Sequence, residues 1–278
     1  MILSGTTRLI AHIGYPTHTF KAPLIYNPYF EHAGIEVVVV PLACEPEPYP
    51  MLLRAVFQLK NIVGALITMP HKVTTAGLLD DASAAVMIAG SCNAVRRAPD
   101  GRLQGDLFDG EGFVRGIRRQ GFKVEGARAL VVGAGGVGCA IAASLAAAGA
   151  GQLTLFDARA ESATGLAQRL REHFPRLRVA TGSNDPAGHD LVVNATPLGM
   201  KKGDPLPIDV ARLAPDTFVG EVVMSEEITP FLKAAQARGC RSQVGTDMLY
   251  EQIPAYLEFF GLPSTTPENL RALARISY

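Results

Sequence analysis

Two stretches hold the residue types that chemistry would use. "VVGAGGVG" (131–138) spaces Gly133, Gly135 and Gly138 as GxGxxG, directly after an apolar β-branched run and before a run of small residues. In that context the first glycine permits a tight turn, the second lets backbone approach a pyrophosphate, and the third lets the helix pack on the strand. The helix that follows offers unpaired N–H groups to phosphates, so the expected cradle is the whole turn: Gly133, Ala134, Gly135, Gly136, Val137 and Gly138. Asp157 ends "LTLFD" 19 residues after Gly138, where a carboxylate would bond the adenosine ribose hydroxyls and repel a 2′-phosphate. NAD is therefore favoured over NADP, although Arg159, two residues on, pulls the other way. The second stretch is "QGDLFDGEGF" (104–113), which sets Asp109 between Leu107-Phe108 and a Gly-x-Gly. A carboxylate beside apolar surface is costly unless something pairs with it. A partner is on offer in "TMPHK", which delivers Lys72 just past an apolar strand; alone, such a lysine would read as solvated surface.

These residues need a scaffold, and the hydrophobic pattern supplies one. "RLIAHIGY" (8–15), "IEVVVVPL" (35–42) and "IVGALIT" (62–68) read as buried strands, separated by "APLIYNPYFEHAG", a helix ending at Gly34, and by a proline-rich loop (41–50) leading into a helix through Leu59. Alternating strands and helices indicate parallel crossovers. The second half repeats the theme. Strands are expected at 127–135, 152–157, 177–180, 190–196, 217–223 and 240–245. One intervening helix carries Ala163, Leu166, Ala167, Leu170 and Phe174 on a single face. A last helix from Met248 through Phe260 presents an apolar face that would return to the first domain. The fold class is α/β with two domains: an N-terminal α/β substrate domain (1–104) completed by C-terminal helices (246–278), and a Rossmann dinucleotide-binding domain (105–245).

Composition narrows the partners. The 278 residues are 48% hydrophobic, with 26 basic against 26 acidic side chains, which gives no long-range field toward nucleic acid or an anionic membrane and favours a small-molecule substrate. The apolar run 129–151 is long enough to span a bilayer, but its glycines mark a turn and helix instead. Cys44, Cys92, Cys139 and Cys240 have neither CxxC nor zinc spacing, and the histidines have no metal spacing. No metal is expected, and reduced thiols in a cytoplasmic protein, monomer or homodimer, are the reading.

"IGYP", "TMPHK", "GSCNAV", "GDLFDGEGF", "VVGAGGVG", "NATPLGM", "TPFL" and "GTDMLYEQ" occur in an order and spacing that resembles the shikimate dehydrogenase family, including its quinate/shikimate branches, nearly end to end. The resemblance implies a reversible, NAD(P)-dependent oxidation of a ring secondary alcohol. It also implies roles: Lys72 and Asp109 as the catalytic pair, and Thr68, Asn93 and Gln252 on the substrate. Asn194, Thr196 and Met200 of "NATPLGM", together with Gly245, would lie at the cofactor. Because a lysine with a pKa near about 10.4 is a poor base at neutral pH, and Asp109 would raise that value further, Asp109 is expected to orient Lys72 and hold a substrate hydroxyl.

The departures from the family gather at the substrate. Two serines that bind the substrate carboxylate there fall on Phe20 and Ala22 of "HTFKAP"; an Asn-Thr before the catalytic aspartate is replaced by Leu107-Phe108; a tyrosine aligns with Met224. Without those hydroxyls a carboxylate loses its donors, unless His18, Thr19 or Lys21 replaces them. A less polar ring alcohol, or a carboxylate held in another pose, is the expected substrate. Phe20 and Phe108 could equally be core side chains. A nucleotide-binding sensor without turnover is the alternative, and the presence of both Lys72 and Asp109 argues against it.

Overall fold

The computed structural model describes residues 3–276, apart from the side chain of Thr19. The chain divides into two compact units: one runs to Phe108 and resumes at Ile253, and the other is Asp109–Gln252. The division falls four residues beyond the expected 104/105 boundary and seven beyond 245/246.

In the first unit the chain runs β1 (Arg8–Gly14), α1 (Ala22–His32), β2 (Val37–Ala43), α2 (Tyr49–Val56), β3 (Ile62–Ile67), α3 (Lys72–Ala76), β4 (Asp81–Ala82), α4 (Ala84–Ala89), β5 (Ala94–Arg97) and β6 (Leu103–Asp106). The sheet order is β2-β1-β3-β5-β6-β4. β1 pairs in parallel with β2 and β3, so the apolar runs are buried strands as their composition suggests. The hairpin β5–β6 is antiparallel, a departure from the all-crossover pattern. Its signal is "APDG": Gly101 takes φ +91° and Ala98 N donates to Arg102 O at 2.9 Å, which is turn chemistry. Ile10, Ile13, Ile25, Phe30, Val37, Leu53 and Ala65 form a core with essentially no exposure.

The second unit runs α5 (Asp109–Arg119), β7 (Arg128–Val132), α6 (Gly136–Ala147), β8 (Gln152–Phe156), α7 (Ala160–His173), β9 (Arg178–Thr181), β10 (Leu191–Asn194), β11 (Phe218–Glu221), α8 (Pro230–Ala237) and β12 (Arg241–Gln243). α9 (Gly245–Phe259) begins in this unit and ends in the first, where α10 (Pro267–Leu273) follows. All six strands are parallel in the order β12-β11-β10-β7-β8-β9. The strand order reverses between β7 and β10, the point at which open α/β sheets bind ligands beyond their carboxyl ends.

Two strands stop short of their apolar runs for physical reasons. β11 ends at Glu221 rather than residue 223: Val222 N still donates to Asn194 O of β10 at 3.3 Å, but the Glu221 carboxylate also accepts from Val222 N (2.8 Å) and from Val223 N (3.0 Å), and the chain leaves the ladder there. β10 ends at Asn194, whose Oδ1 accepts from Thr196 N at 3.1 Å. No described helix is long and apolar enough to cross a membrane. All four cysteines are buried and unbridged.

Candidate functional site

In the second unit the glycine turn is built as its spacing requires. Gly133 has φ +105°, a conformation L side chains rarely adopt, and a Cβ there would lie 2.6 Å from the Ala195 carbonyl oxygen. A Cβ on Gly138 would run into the Gly133 carbonyl, so helix and strand pack at glycine distance. At Gly135 and Gly136 a Cβ would meet nothing within 4 Å. The turn is therefore open on that side, with the first N–H groups of α6 lacking intrahelical partners. Gly135 is the N-cap and contributes no side-chain cap. This arrangement fits a pyrophosphate.

Asp157 fixes the turn from the end of β8. Its Oδ2 accepts from Ala134 N at 2.8 Å and its Oδ1 from Arg159 N at 2.9 Å. The Arg159 side chain is 78% exposed, with Nε 3.9 Å from Asp157 Oδ1; this is a weak, solvent-screened pair. Each carboxylate oxygen keeps a lone pair for a ribose hydroxyl.

The loop after β10 shows a residue that the motif spacing did not reveal. Asn194, expected at the cofactor, is fully buried and spends its carboxamide inside the protein. Its Oδ1 accepts from Thr196 Oγ1 (2.7 Å), and its Nδ2 donates to Leu198 O (3.0 Å) and to Glu221 (2.9 and 3.2 Å). Asn194 thus positions the loop rather than presenting a free group. Thr196 is half-buried, and Met200 is 61% exposed at the loop tip. Glu221 is the hub. Besides Asn194, Val222 and Val223 it accepts from Thr229 Oγ1 at 3.0 Å, and Thr229 caps α8. Burial is the main cause that raises the Glu221 pKa, opposed by these donors. The sequence signal was available: an acid inside the apolar run "FVGEVV" poses the same question as Asp109. Gly245 opens α9, where a Cβ would press on Val223 O and lie 3.0 Å from Met224 Cγ.

Asp109 is the first residue of α5 and is 8% exposed. The Gly-x-Gly beside it is a packing device. A Cβ on Gly110 would strike the Ala140 carbonyl of α6, and one on Gly112 would lie 2.7 Å from Gln252 Cβ on α9. α5 is further held to α9 by the Arg119–Glu251 ion pair and by Gln120 Nε2 donating to Asp247 Oδ2 at 2.9 Å. Gln252 is 9% exposed, and its buried Oε1 has no hydrogen-bond partner among the described residues.

In the first unit the candidate residues gather where β1 and β3 end. Thr68 N donates to Ile13 O (3.0 Å), Tyr15 N to Met69 O (3.0 Å) and Cys44 N to Gly14 O (3.1 Å), which ties the three parallel strand ends together. Asn93 is 1% exposed; its Oδ1 accepts from Phe108 N at 3.0 Å while its Nδ2 has no partner among the described residues. Lys72 opens α3 and is half-buried, and its carbonyl accepts from Cys92 N at 2.8 Å. The residue before it is clamped. His71 stacks on Tyr49 (3.9 Å, 7°), its Nε2 donates to Cys44 O at 2.8 Å, and Tyr49 shares a 2.6 Å bond with Thr75 Oγ1, which donates to His71 O at 2.8 Å. Burial pushes the His71 pKa down, partly offset by the bond to Cys44.

The two aromatics separate here. Phe108 packs edge-on against Tyr256 (4.9 Å) and Phe259 (5.5 Å) and is a core residue. Phe20 is half-buried, with Cζ 2.9 Å from where a Gly14 Cβ would stand, and it stacks on His12 at 4.0 Å. Its ring therefore lies at the strand ends beside Thr68. Ala22 is the half-buried first residue of α1; His18 is exposed, and the Thr19 side chain lies outside the described residues. Among the described residues no cluster of His, Cys, Asp or Glu could hold a metal.

Comparison with known proteins places this architecture. A profile of the shikimate dehydrogenase substrate binding domain matches residues 12–95. A shikimate dehydrogenase (NADP(+)) from Acidiphilium cryptum (strain JF-5) is 36% identical over 277 residues, covering 99% of this chain and 98% of that protein. The chain belongs to the shikimate dehydrogenase family. A ThiF family profile also matches residues 116–160, the segment holding the glycine turn. Among solved structures, the quinate dehydrogenase from Corynebacterium glutamicum in complex with NAD is 28% identical with a TM-score of 0.85, covering 96% of this chain and 98% of that one. The ligand-free 5-ketofructose reductase of Gluconobacter sp. strain CHM43 is 25% identical with a TM-score of 0.87, covering 96% and 97%. Both family membership and the two-domain, Rossmann-containing α/β fold agree with the reading of the motifs.

Proposed function

We propose that this shikimate dehydrogenase family member is an NAD-preferring oxidoreductase of a ring secondary alcohol, with Lys72 and Asp109 as its catalytic pair and a specificity shifted away from shikimate. The observation that carries the reading is the glycine turn. It is open at Gly135 and Gly136, rigid at Gly133 and Gly138, and locked to Asp157 through Ala134 N. The nicotinamide group, when bound, accepts or supplies the hydride. Everything else falls to side chains of this chain.

During oxidation the carbinol hydroxyl must lose a proton as its C–H bond loses a hydride. Lys72 Nζ accepts that proton and returns it in the reverse direction. Asp109 orients the ammonium and accepts a hydroxyl hydrogen from the substrate. The clamp of His71 between Tyr49 and Cys44 keeps the Lys72 backbone in one place, so Nζ swings from a fixed root. Asn93 Nδ2 and Gln252 Oε1, both buried and unpartnered, supply one donor and one acceptor for further substrate oxygens.

Cofactor choice rests on Asp157, because a carboxylate at the end of β8 would repel a 2′-phosphate. The curated relatives are named for NADP(+), so this preference separates the chain from them. Phe20 and Ala22 support the shift in specificity, since neither carries the hydroxyl that a carboxylate would use. Initial rates of nicotinamide reduction with shikimate, quinate and related ring alcohols, with NAD⁺ and NADP⁺ in parallel, test the whole reading. We expect kcat/KM for NAD⁺ to exceed that for NADP⁺ by at least tenfold and Asp157→Ala to narrow the gap. A preference for NADP⁺ in the wild type would refute the cofactor assignment.

A further inference from the structure

We propose that the wall formed by His12, Phe20 and Thr68 selects an uncharged polyhydroxylated substrate, a ketose or cyclitol, rather than a ring carboxylate. This rests on the dehydrogenase reading above and names its substrate class.

Three observations in the first unit carry it. Phe20 does not merely lack the hydroxyl expected at its position. Its ring is turned onto the ends of β1 and β3, with Cζ 2.9 Å from where a Gly14 Cβ would stand, a place that Thr68 Cγ2 and Met69 O also crowd. A larger residue than glycine at 14 would expel the ring. An aromatic face there suits the C–H face of a saturated ring and offers nothing to an anion.

His12 is the second. It lies on β1 in "RLIAHIGY" and is 7% exposed; its ring stacks under Phe20 at 4.0 Å, and its buried Nδ1 has no partner among the described residues. Burial pushes the His12 pKa down to about 4, so the imidazole is neutral at physiological pH and cannot serve as a counter-ion. A neutral imidazole offers one donor and one acceptor. As an acceptor, Nδ1 takes a hydrogen bond from a substrate hydroxyl, which a carboxylate, having no hydrogen, cannot give. Nδ1 reaches a substrate only if the stacked Phe20 ring tilts away, which the His12 variants below test.

The third is Asn93, 1% exposed, with one amide hydrogen-bonding atom committed to Phe108 N and the other, Nδ2, unpartnered. Thr68 and Ala22 complete the set: a hydroxyl, an amide, a neutral imidazole, an aromatic face and a methyl group. The set matches a sugar-like ring; toward an anion it lacks a charged group and the two hydroxyls that Phe20 and Ala22 replace.

The test is initial-rate kinetics of the intact enzyme with both cofactors. Oxidation is measured with shikimate, quinate and myo-inositol, and reduction with 3-dehydroshikimate, 5-keto-D-fructose and D-fructose. We expect at least one uncharged compound to exceed every carboxylate at least tenfold in kcat/KM. Phe20→Ser with Ala22→Ser should move that ratio at least tenfold toward shikimate. His12→Val should raise KM for the uncharged compound more than it lowers kcat, and His12→Asn, which restores a polar partner, should recover part of the loss. Carboxylate turnover equal to or above that of every uncharged compound overturns the proposal and leaves the dehydrogenase reading standing; so does carboxylate turnover that collapses in Lys21→Met, which would identify Lys21 as the anion partner. Absence of turnover on all six compounds, with dinucleotide binding intact, overturns both. If the double serine variant does not fold, the wild-type ratio decides alone.

Discussion

Replacing Glu221 should unfasten two loops at once, and the size of the effect follows from its partners. The carboxylate is wholly buried and accepts from Asn194 Nδ2, Val222 N, Val223 N and Thr229 Oγ1. In Glu221→Ala, Asn194 Nδ2 keeps Leu198 O, and the Thr229 hydroxyl can rotate. Val222 N keeps Asn194 O as an acceptor at 3.3 Å, but Val223 N stays buried without one. One orphaned donor costs about 1–3 kcal/mol, and the lost charged bonds add to it; relief of the carboxylate's own desolvation subtracts. The net is about 3 kcal/mol, or a fall in Tm of roughly 6–12 °C for a chain of this size. The loop from Ala195 to Asp204 also loosens, so KM for the dinucleotide should rise severalfold. The pH dependence has a definite sign. The folded pKa of Glu221 is raised, so its protonated form is favoured on folding; that contribution is complete below about 4.5, the ordinary glutamate range, and is lost as pH rises through the folded pKa. Thermal unfolding of wild type, Glu221→Ala and Glu221→Gln from pH 4 to pH 8, with KM for NAD⁺, measures both effects. A Glu221→Ala protein with Tm within about 2 °C of wild type at pH 7 would refute the reasoning.

The glycine turn separates folding from binding. Gly138→Ala places a Cβ against the Gly133 carbonyl and 3.3 Å from Ala195 Cβ; overpacking of this kind costs about 1–3 kcal/mol, so both Tm and dinucleotide affinity should fall. Gly135→Ala meets nothing in the protein and should leave Tm within a degree or two while raising KM for NAD⁺ at least tenfold, as comparison of the two variants by thermal unfolding and initial rates will show. Gly110→Val should abolish stable folding or lower Tm by more than 10 °C, because its side chain strikes the backbone of α6 at Ala140; a soluble variant with wild-type Tm would refute the α5–α6 packing. His71→Leu removes the bond to Cys44 O and should lower kcat more than it raises KM, since it loosens the root of Lys72 without touching substrate.

Much of this was legible in the sequence because local patterns and long-range contacts agree there. "VVGAGGVG" and Asp157 specify a turn whose geometry depends on steric room, and steric room is written in glycine positions. The apolar runs at 8–15, 35–42 and 62–68 specify buried strands because a parallel sheet covers both faces of each strand. What escaped is what depends on partners distant in sequence. Gly110 and Gly112 beside Asp109 make sense once α6 and α9 are seen pressing on α5. Asn194 reads as a cofactor contact until Glu221, 27 residues away, is found holding its amide. Phe20 and Phe108 are the same residue type in comparable settings; one stacks on His12 at the strand ends and the other joins Tyr256 and Phe259, a distinction no single-sequence pattern encodes. Glu221 and His12 were nonetheless findable, because a charged or polar residue inside an apolar strand run always needs a partner.

The most direct test of the central claim is the pH profile of kcat for Lys72→Ala and Asp109→Asn beside wild type, with the best substrate and NAD⁺. Proton transfer through Lys72 predicts that Lys72→Ala loses at least a thousandfold in kcat, retains dinucleotide affinity, and no longer shows the fall in kcat toward low pH that protonation of a general base imposes on the oxidation; Asp109→Asn loses less and shifts that fall. A Lys72→Ala enzyme within tenfold of wild-type kcat, with its pH profile unchanged, would contradict the account.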